Sequence, residues 1–341
     1  NWGTNKIIID SNGLNYQGEA DTYTVEYETD GQTVSIVYSG ATVGWIPESD
    51  VDVTDAPVAP PTQKAIFGYG FVDGNPGVSM TNLVNSSGVV GTDVTGVGTA
   101  RYGITATGYG TDTAIFGYGY TGSQVSITNL VNNSGVVATD TTGVGTVRSY
   151  LAATRYGVGL AIFGYGHPNT AITNLVSNVG VVATDTSGVG SARHALAAAG
   201  YGGDKAIFGY GNTGSRVSLT NLVSNSGVVA TDTTGVGTAR DYLAAASYGT
   251  GTAIFAYGTT GSNTAVSNLV SSSGVVASDV SGVGTARHAL AASGYGGDKG
   301  IFAYGTTGSY VSTSNLVNNS GVIASDVTGV GTARYTPGAA G

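Results

Sequence analysis

Six aspartates recur in register along the chain, at Asp93, Asp140, Asp185, Asp232, Asp279 and Asp326, and each is followed eight residues later by an arginine, at Arg101, Arg148, Arg193, Arg240, Arg287 and Arg334. Carboxylates facing guanidiniums are capable of acid-base work or anion binding, which makes these columns the first candidate site. A catalytic pair, however, needs two groups whose surroundings drive their roles apart. Identical columns imply identical surroundings. The fixed fork of donors on arginine matches a neighbouring carboxylate or backbone carbonyls, so we read all twelve residues as structural links between successive repeats.

Other reactive groups are sparse. His194 and His288 hold equivalent positions two repeats apart, about 120° around a sixfold ring and too far apart to share one metal; no metal-ligand spacing surrounds them or His167. There is no cysteine, hence no disulfide or thiolate site. The Gly-Tyr-Gly and Gly-Val-Gly turns lack the following helix or lysine of a phosphate loop, and no Gly-x-Ser-x-Gly opens a helix. We expect no metal, no cofactor and no enzymatic activity.

Functional individuality should lie where the repeats differ. The largest differences follow the apolar strand, in Phe71-Val-Asp-Gly-Asn-Pro-Gly77 and its equivalents, and there we place candidate ligand-binding residues: Asp73, Tyr120, His167, Arg216 and Tyr310. The turns at Tyr102, Tyr150, His194, Tyr242, His288 and Tyr335 should emerge on the same face. A surface of Tyr, Asn and His suits carbohydrate or protein contact; the plainer reading is variation tolerated in exposed turns.

These residues are positioned by a repeat. Ile-Phe-Gly/Ala-Tyr-Gly recurs with its phenylalanine at Phe67, Phe116, Phe163, Phe208, Phe255 and Phe302, a period of 45 to 49 residues, and Asn-Leu-Val recurs from Asn82 to Asn315. With 57 glycines, 41% hydrophobic and 10% charged residues, the composition is that of a turn-dense all-β protein. Glycines divide each unit into four short extended pieces, the size of a propeller blade. One such unit cannot bury both faces of its sheet, so neighbours must stack, and radial closure protects the sheet edges.

We therefore expect an all-β chain: a small acidic β sandwich-like adaptor over residues 1–55, a stiff linker over 56–63 carrying Pro57, Pro60 and Pro61, and a six-bladed β-propeller of four-stranded blades over 64–341. The first repeat lacks an Arg-led strand and the chain stops just after starting one at Arg334, so the C-terminal strand should complete the first blade. An open β-solenoid is the competing architecture, expected to repeat in shorter coils of about 20–30 residues. The chain opens on Asn1 rather than Met, and we expect a longer parent protein.

The net charge of −9 is uneven: residues 1–64 hold ten acids against Lys6 and Lys64, while the remainder is nearly neutral. Neither part offers the Lys/Arg stripe that nucleic acid or an anionic membrane surface requires. No apolar run reaches the ~18 residues of a membrane-spanning helix, so no membrane insertion is expected.

The apolar strand ending in a Gly-containing turn, a second strand and an Arg-led strand resemble the kelch repeat across residues 65–341. Gly-Tyr-Gly or Ala-Tyr-Gly stands where kelch blades usually show Gly-Gly, and no repeat carries a Trp. The run Tyr23-Thr-Val-Glu-Tyr-Glu28, then Thr33-Val-Ser-Ile-Val-Tyr-Ser-Gly40 and Gly44-Trp45-Ile46-Pro47, is similar to small modules of bacteriophage fibre and other virion appendage proteins. The tandem Ile-Phe-Gly-Tyr-Gly units resemble phage structural repeats as well. The resemblance implies an extracellular virion protein, attached to other virion proteins through residues 1–55, presenting the propeller to a host-surface glycan or protein, and able to form a homo-oligomer. A cellular adhesin or lectin is the alternative, and a glycan-processing enzyme a third reading, for which no asymmetric carboxylate pair stands out.

Overall fold

The computed structural model describes residues 6–20, 24–27, 34–48 and 64–341. The linker expected at 56–63, with Pro57, Pro60 and Pro61, lies outside the described residues. The chain divides into two compact units, Asn1–Thr62 and Gln63–Gly341. Both are all-β, with no helix among the described residues.

In the first unit β1 (Ile7–Ile9) pairs with β2 (Val25–Tyr27), and β3 (Ile36–Tyr38) with β4 (Trp45–Pro47), both antiparallel. Alternation along β2 turns Val25 and Tyr27 inward beside Tyr16, where Ile7, Ile9, Ile36 and Trp45 pack on them. Tyr16 also bridges Trp45 through its backbone.

The second unit is a series of three-stranded antiparallel sheets. The first repeat supplies β5 (Ala65–Val72) and β6 (Asn75–Val84). Sheets of consecutive strands follow: β7 (Thr105–Tyr109), β8 (Thr113–Tyr120) and β9 (Gln124–Val131); β10 (Ala152–Tyr156), β11 (Leu160–Gly164) and β12 (Thr173–Val176); β13 (Ala197–Tyr201), β14 (Lys205–Gly209) and β15 (Thr220–Val223). Two more are β16 (Ala244–Tyr248), β17 (Thr252–Ala256) and β18 (Ser267–Val270), then β19 (Ala291–Tyr295), β20 (Lys299–Ala303) and β21 (Ser314–Val317). The last strand, β22 (Gly338–Ala340), pairs with β5, placing Gly338 opposite Gly68 and Ala340 opposite Ile66. The sheet of the first repeat thus takes its third strand from the other end of the chain.

Neighbouring first strands pack in chain order, β7 on β10, β10 on β13, β13 on β16 and β16 on β19, while β22 packs on both β19 and β7. The apolar cores lie between adjacent sheets. Ile207 and Tyr210 of one meet Phe255 and Val270 of the next, and Phe67 and Val84 of the first repeat meet Ile301 and Tyr304 of the last. The middle strand is buried on both faces, which explains why Ala-Ile-Phe-Gly reads as a continuous apolar run rather than an alternating one.

The expectation of four strands per unit is corrected. The segment Gly-Val-Val-Ala-Thr-Asp runs beside the third strand but touches it through isolated bridges, Val229 opposite Val223 and Thr233 opposite Thr220. The cause is the asparagine of Asn-Leu-Val. Asn221 Nδ2 donates to the carbonyl of Ala230 at 3.0 Å and to Asp232 Oδ1 at 2.9 Å, so a side chain occupies the place of a ladder bond between the bridges.

Candidate functional site

Each Arg of the repeat is fully buried, at 0% exposure, and Arg240 shows how it is held. Its Nε donates to the carbonyl of Tyr257 at 2.9 Å, Nη1 to that of Thr238 at 3.1 Å and Nη2 to Asn268 Oδ1 at 2.7 Å. The guanidinium lies over the ring of Tyr210 in the preceding repeat, 4.3 Å from its centre. That tyrosine has a left-handed backbone, φ 64°, as do its five equivalents, a conformation costing about 1–2 kcal/mol outside glycine. The guanidinium face and a hydrogen bond from Tyr210 Oη to the carbonyl of Val236 hold it there.

Asp279 faces the same cluster. Its carboxylate accepts from the backbone N and Oγ1 of Thr238, at 3.1 and 2.5 Å, and from Asn268 Nδ2 at 2.9 Å. In three other repeats the carboxylate lies 3.8 Å from an arginine Nη1, as in Arg101 with Asp140. The second glycine of Gly-Val-Gly completes the clasp. A Cβ on Gly237, φ 77°, would sit 2.3 Å from Asp279 Oδ1 and 2.5 Å from Asn268 Nδ2, so glycine alone fits.

Clasps of this kind link each repeat to the next, and the last links the C-terminal segment back to the first repeat. Arg334 lies 4.1 Å over Tyr304 and donates from Nη2 to Asn82 Oδ1 at 2.6 Å, while Thr332 donates to Asp93 from its backbone N and Oγ1.

The electrostatics of the clasp set an acid limit. Burial alone would push the Asp279 carboxyl up, but hydrogen bonds from Thr238 and Asn268, with Arg240 nearby, outweigh it and hold the group below the usual carboxylate range; the other five aspartates behave alike. A depressed folded-state pKa contributes stability that is present above the unfolded value and lost as pH falls through the folded one. Denaturant midpoints should therefore stay level from about pH 7 to 5 and fall below about pH 4, where unfolded aspartate protonates. A midpoint already falling between pH 7 and 5 would contradict this.

The second cluster is aromatic. The loop after each middle strand bridges the residue that follows the clasp arginine, pairing Phe71 with Tyr335, Tyr102 with Tyr120, Ser149 with His167, and His194 with Asn212. These bridges bring ten rings into one continuous network. Phe71 touches Tyr102, Tyr310 and Tyr335, and Tyr102 touches Tyr120 and Tyr150. Tyr150 meets Tyr242 at 5.6 Å, and Tyr242 has His194 at 6.4 Å and His288 at 6.0 Å. His194 meets His167 at 5.2 Å, and Tyr310 stacks on Tyr335 at 5.0 Å with 20° between the planes. Beneath Tyr150 and Tyr242 lies a cleft of about 70 Å³ also lined by Leu151, Leu196, Leu243 and Leu290.

Of the five expected ligand-binding residues, Tyr120, His167 and Tyr310 fall in this network. Asp73 is exposed and acts on the Tyr310 hydroxyl, whose pKa is raised first by burial and then by this carboxylate. Arg216 sits at the border, its Nε 3.0 Å from Oδ1 of the buried Asp241, which also accepts from Asn212 Nδ2 at 2.7 Å. Asp241 and Phe71 were not among the expected site residues. Asp241 is the one acid in its column, where Tyr102, Ser149, His194, His288 and Tyr335 stand in the other repeats, and that was the available signal.

Burial pushes the Tyr150 and Tyr242 phenols up and that of Tyr335 to about 12, so these hydroxyls stay protonated donors at neutral pH. Burial also holds the His194 and His288 imidazoles below their ordinary value, His167 adding to the effect at His194. Each places Nδ1 on an asparagine Oδ1, His194 on Asn169 at 2.6 Å and His288 on Asn263 at 2.7 Å. The neutral ring therefore carries its proton on Nδ1 and keeps Nε2 as an acceptor. Among the described residues, no group of three His, Cys, Asp or Glu side chains could hold a metal ion.

No protein-family model matches the chain, and the search of curated proteins finds no match.

Proposed function

We propose that the six sheets close radially into a six-bladed β-propeller and that this propeller is a binding scaffold rather than an enzyme, with the network around Tyr102, Tyr242 and Tyr335 as its ligand face. The pairing of β22 with β5 and the packing of β22 on both β19 and β7 support the closure. The observation that carries the binding role is the ring network itself: ten rings gathered from six repeats, nine of them half-buried and His167 exposed, none of which belongs to the apolar cores between the sheets. Such a surface offers flat apolar faces for stacking beside protonated phenols and imidazole acceptors, a combination that suits the alternating C–H and hydroxyl faces of a sugar ring. Asp241, the buried carboxylate of this face, is already held by Arg216 and Asn212, which favours recognition over acid-base catalysis.

Display on a virion appendage, with residues 1–55 docking to other particle proteins and the propeller meeting a host-surface glycan, is the setting implied by the resemblance to phage modules. It stands on that resemblance alone.

A glycan array followed by calorimetry on the best ligand tests the reading. Tyr310→Ala should weaken binding about tenfold, the scale of losing one stacked ring, while the loss of its contacts with Tyr335 and Phe71 lowers the melting temperature by only a few degrees. Absence of any bound glycan, or equal affinity of the variant, would overturn it.

A further inference from the structure

The cleft beneath the ring network is framed by backbone hydrogen bonds that run from repeat to repeat. Tyr150 N donates to the carbonyl of Gly103 at 2.7 Å, and Ala195 N to that of Tyr150, Tyr242 N to that of Ala195 and Ala289 N to that of Tyr242, each at 2.8 Å. Thr336 N then donates to the carbonyl of Ala289 at 2.7 Å. All six residues have positive φ, from 50° at Thr336 to 59° at Gly103. Their side chains alternate between small and tyrosine, through Gly103, Tyr150, Ala195, Tyr242 and Ala289. A third tyrosine would continue the alternation, but Thr336 stands in its place.

The smaller residue leaves space, and the backbone around it carries an unused polar group. Gly103 N donates to Thr336 Oγ1 at 3.2 Å rather than to a carbonyl, and the Thr336 carbonyl accepts no hydrogen bond among the described residues. Tyr150 and Tyr242, which line the same cleft, add phenols that stay protonated at neutral pH. Leu151, Leu196, Leu243 and Leu290 supply much of the remaining wall, and no charged side chain lines it. The volume of about 70 Å³ holds roughly five water-sized groups, enough for the methyl, carbonyl and N–H of one acetamido group.

We infer that this cleft is the subsite for the acetamido group of an N-acetylhexosamine whose ring stacks on the aromatic network. The inference rests on the glycan-binding role proposed for that network. The lining offers the Thr336 carbonyl to the amide N–H, phenol donors to the amide carbonyl and leucine side chains to the methyl. A free amino sugar would bring an ammonium into a cleft without a carboxylate, at a desolvation cost. A plain hexose would leave the aliphatic wall uncovered.

The test is calorimetric titration of the full chain with two matched sets of sugars: the β1,4-linked trimers of N-acetylglucosamine, glucosamine and glucose, and the methyl glycosides of N-acetylgalactosamine and galactose. In at least one set the N-acetylated sugar should bind about tenfold more tightly than its partners, the effect of one buried methyl with one hydrogen bond. Thr336→Tyr fills the gap with the residue that Tyr150 and Tyr242 show is accommodated at φ 51°, and it should remove that margin in a chain that still melts cooperatively. The sugars are compared on the wild type, so the first result does not depend on the variant. Glycans without an acetamido group bound as tightly, or a margin kept by folded Thr336→Tyr, would overturn the inference and leave the binding role standing. No bound glycan, in these titrations or on the array, overturns both.

Discussion

Replacing Arg240 with alanine will destabilise the second unit by about 3–5 kcal/mol, the scale of removing one partner from a buried charged network. The side chain is fully buried and serves three acceptors, the carbonyls of Tyr257 and Thr238 and the Oδ1 of Asn268. Its loss leaves those acceptors without partners, takes away the cation over Tyr210 that helps hold a left-handed tyrosine, and strips Asp279 of its nearby positive charge. Lysine will not rescue it, because a point charge cannot serve three divergent acceptors while lying flat on a ring. Urea unfolding of wild type, Arg240→Ala and Arg240→Lys measures the effect. A loss below about 1 kcal/mol in Arg240→Ala would mean that the clasp is incidental.

Much of this architecture is legible in the sequence because the repeat is so regular. The 45 to 49 residue period and the continuous apolar Ala-Ile-Phe-Gly runs announce stacked sheets with a doubly buried middle strand. The Asp and Arg columns announce a shared structural role. What the columns conceal is geometry. Periodicity cannot show that Asn221 turns inward to occupy a ladder position, which leaves three strands where four are expected. It is equally silent on the positive φ of Tyr210, since tyrosine rarely adopts that conformation and gives no turn signal of its own.

At the candidate site, looking where repeats differ picks out Tyr120, His167 and Tyr310, all of which join the ring network. The contacts of Phe71 with Tyr335 and of Tyr150 with Tyr242 escape that search, because their partners lie 264 and 92 residues away and only the assembled sheets bring them together.

Closure by the chain's own C-terminal strand is the claim on which the proposed propeller and its proposed ligand face both depend. Phe71 and Tyr335 exchange two backbone hydrogen bonds, 3.0 Å from Phe71 N and 3.1 Å from Tyr335 N, so cysteines at these positions fall within the ~5.5 Å Cα spacing that a disulfide accepts. The chain has no other cysteine, which makes the oxidised and reduced forms of the double variant Phe71→Cys/Tyr335→Cys an internal comparison. The bond would close a loop longer than 100 residues, for which chain entropy gives about 5 kcal/mol and a melting temperature higher by roughly 10 °C. The direct measurement is calorimetric melting of the monomeric double variant with and without reductant. The account predicts a spontaneous intramolecular disulfide and a large upward shift on oxidation; reduced thiols, dimers linked between chains, or an unshifted transition would contradict it.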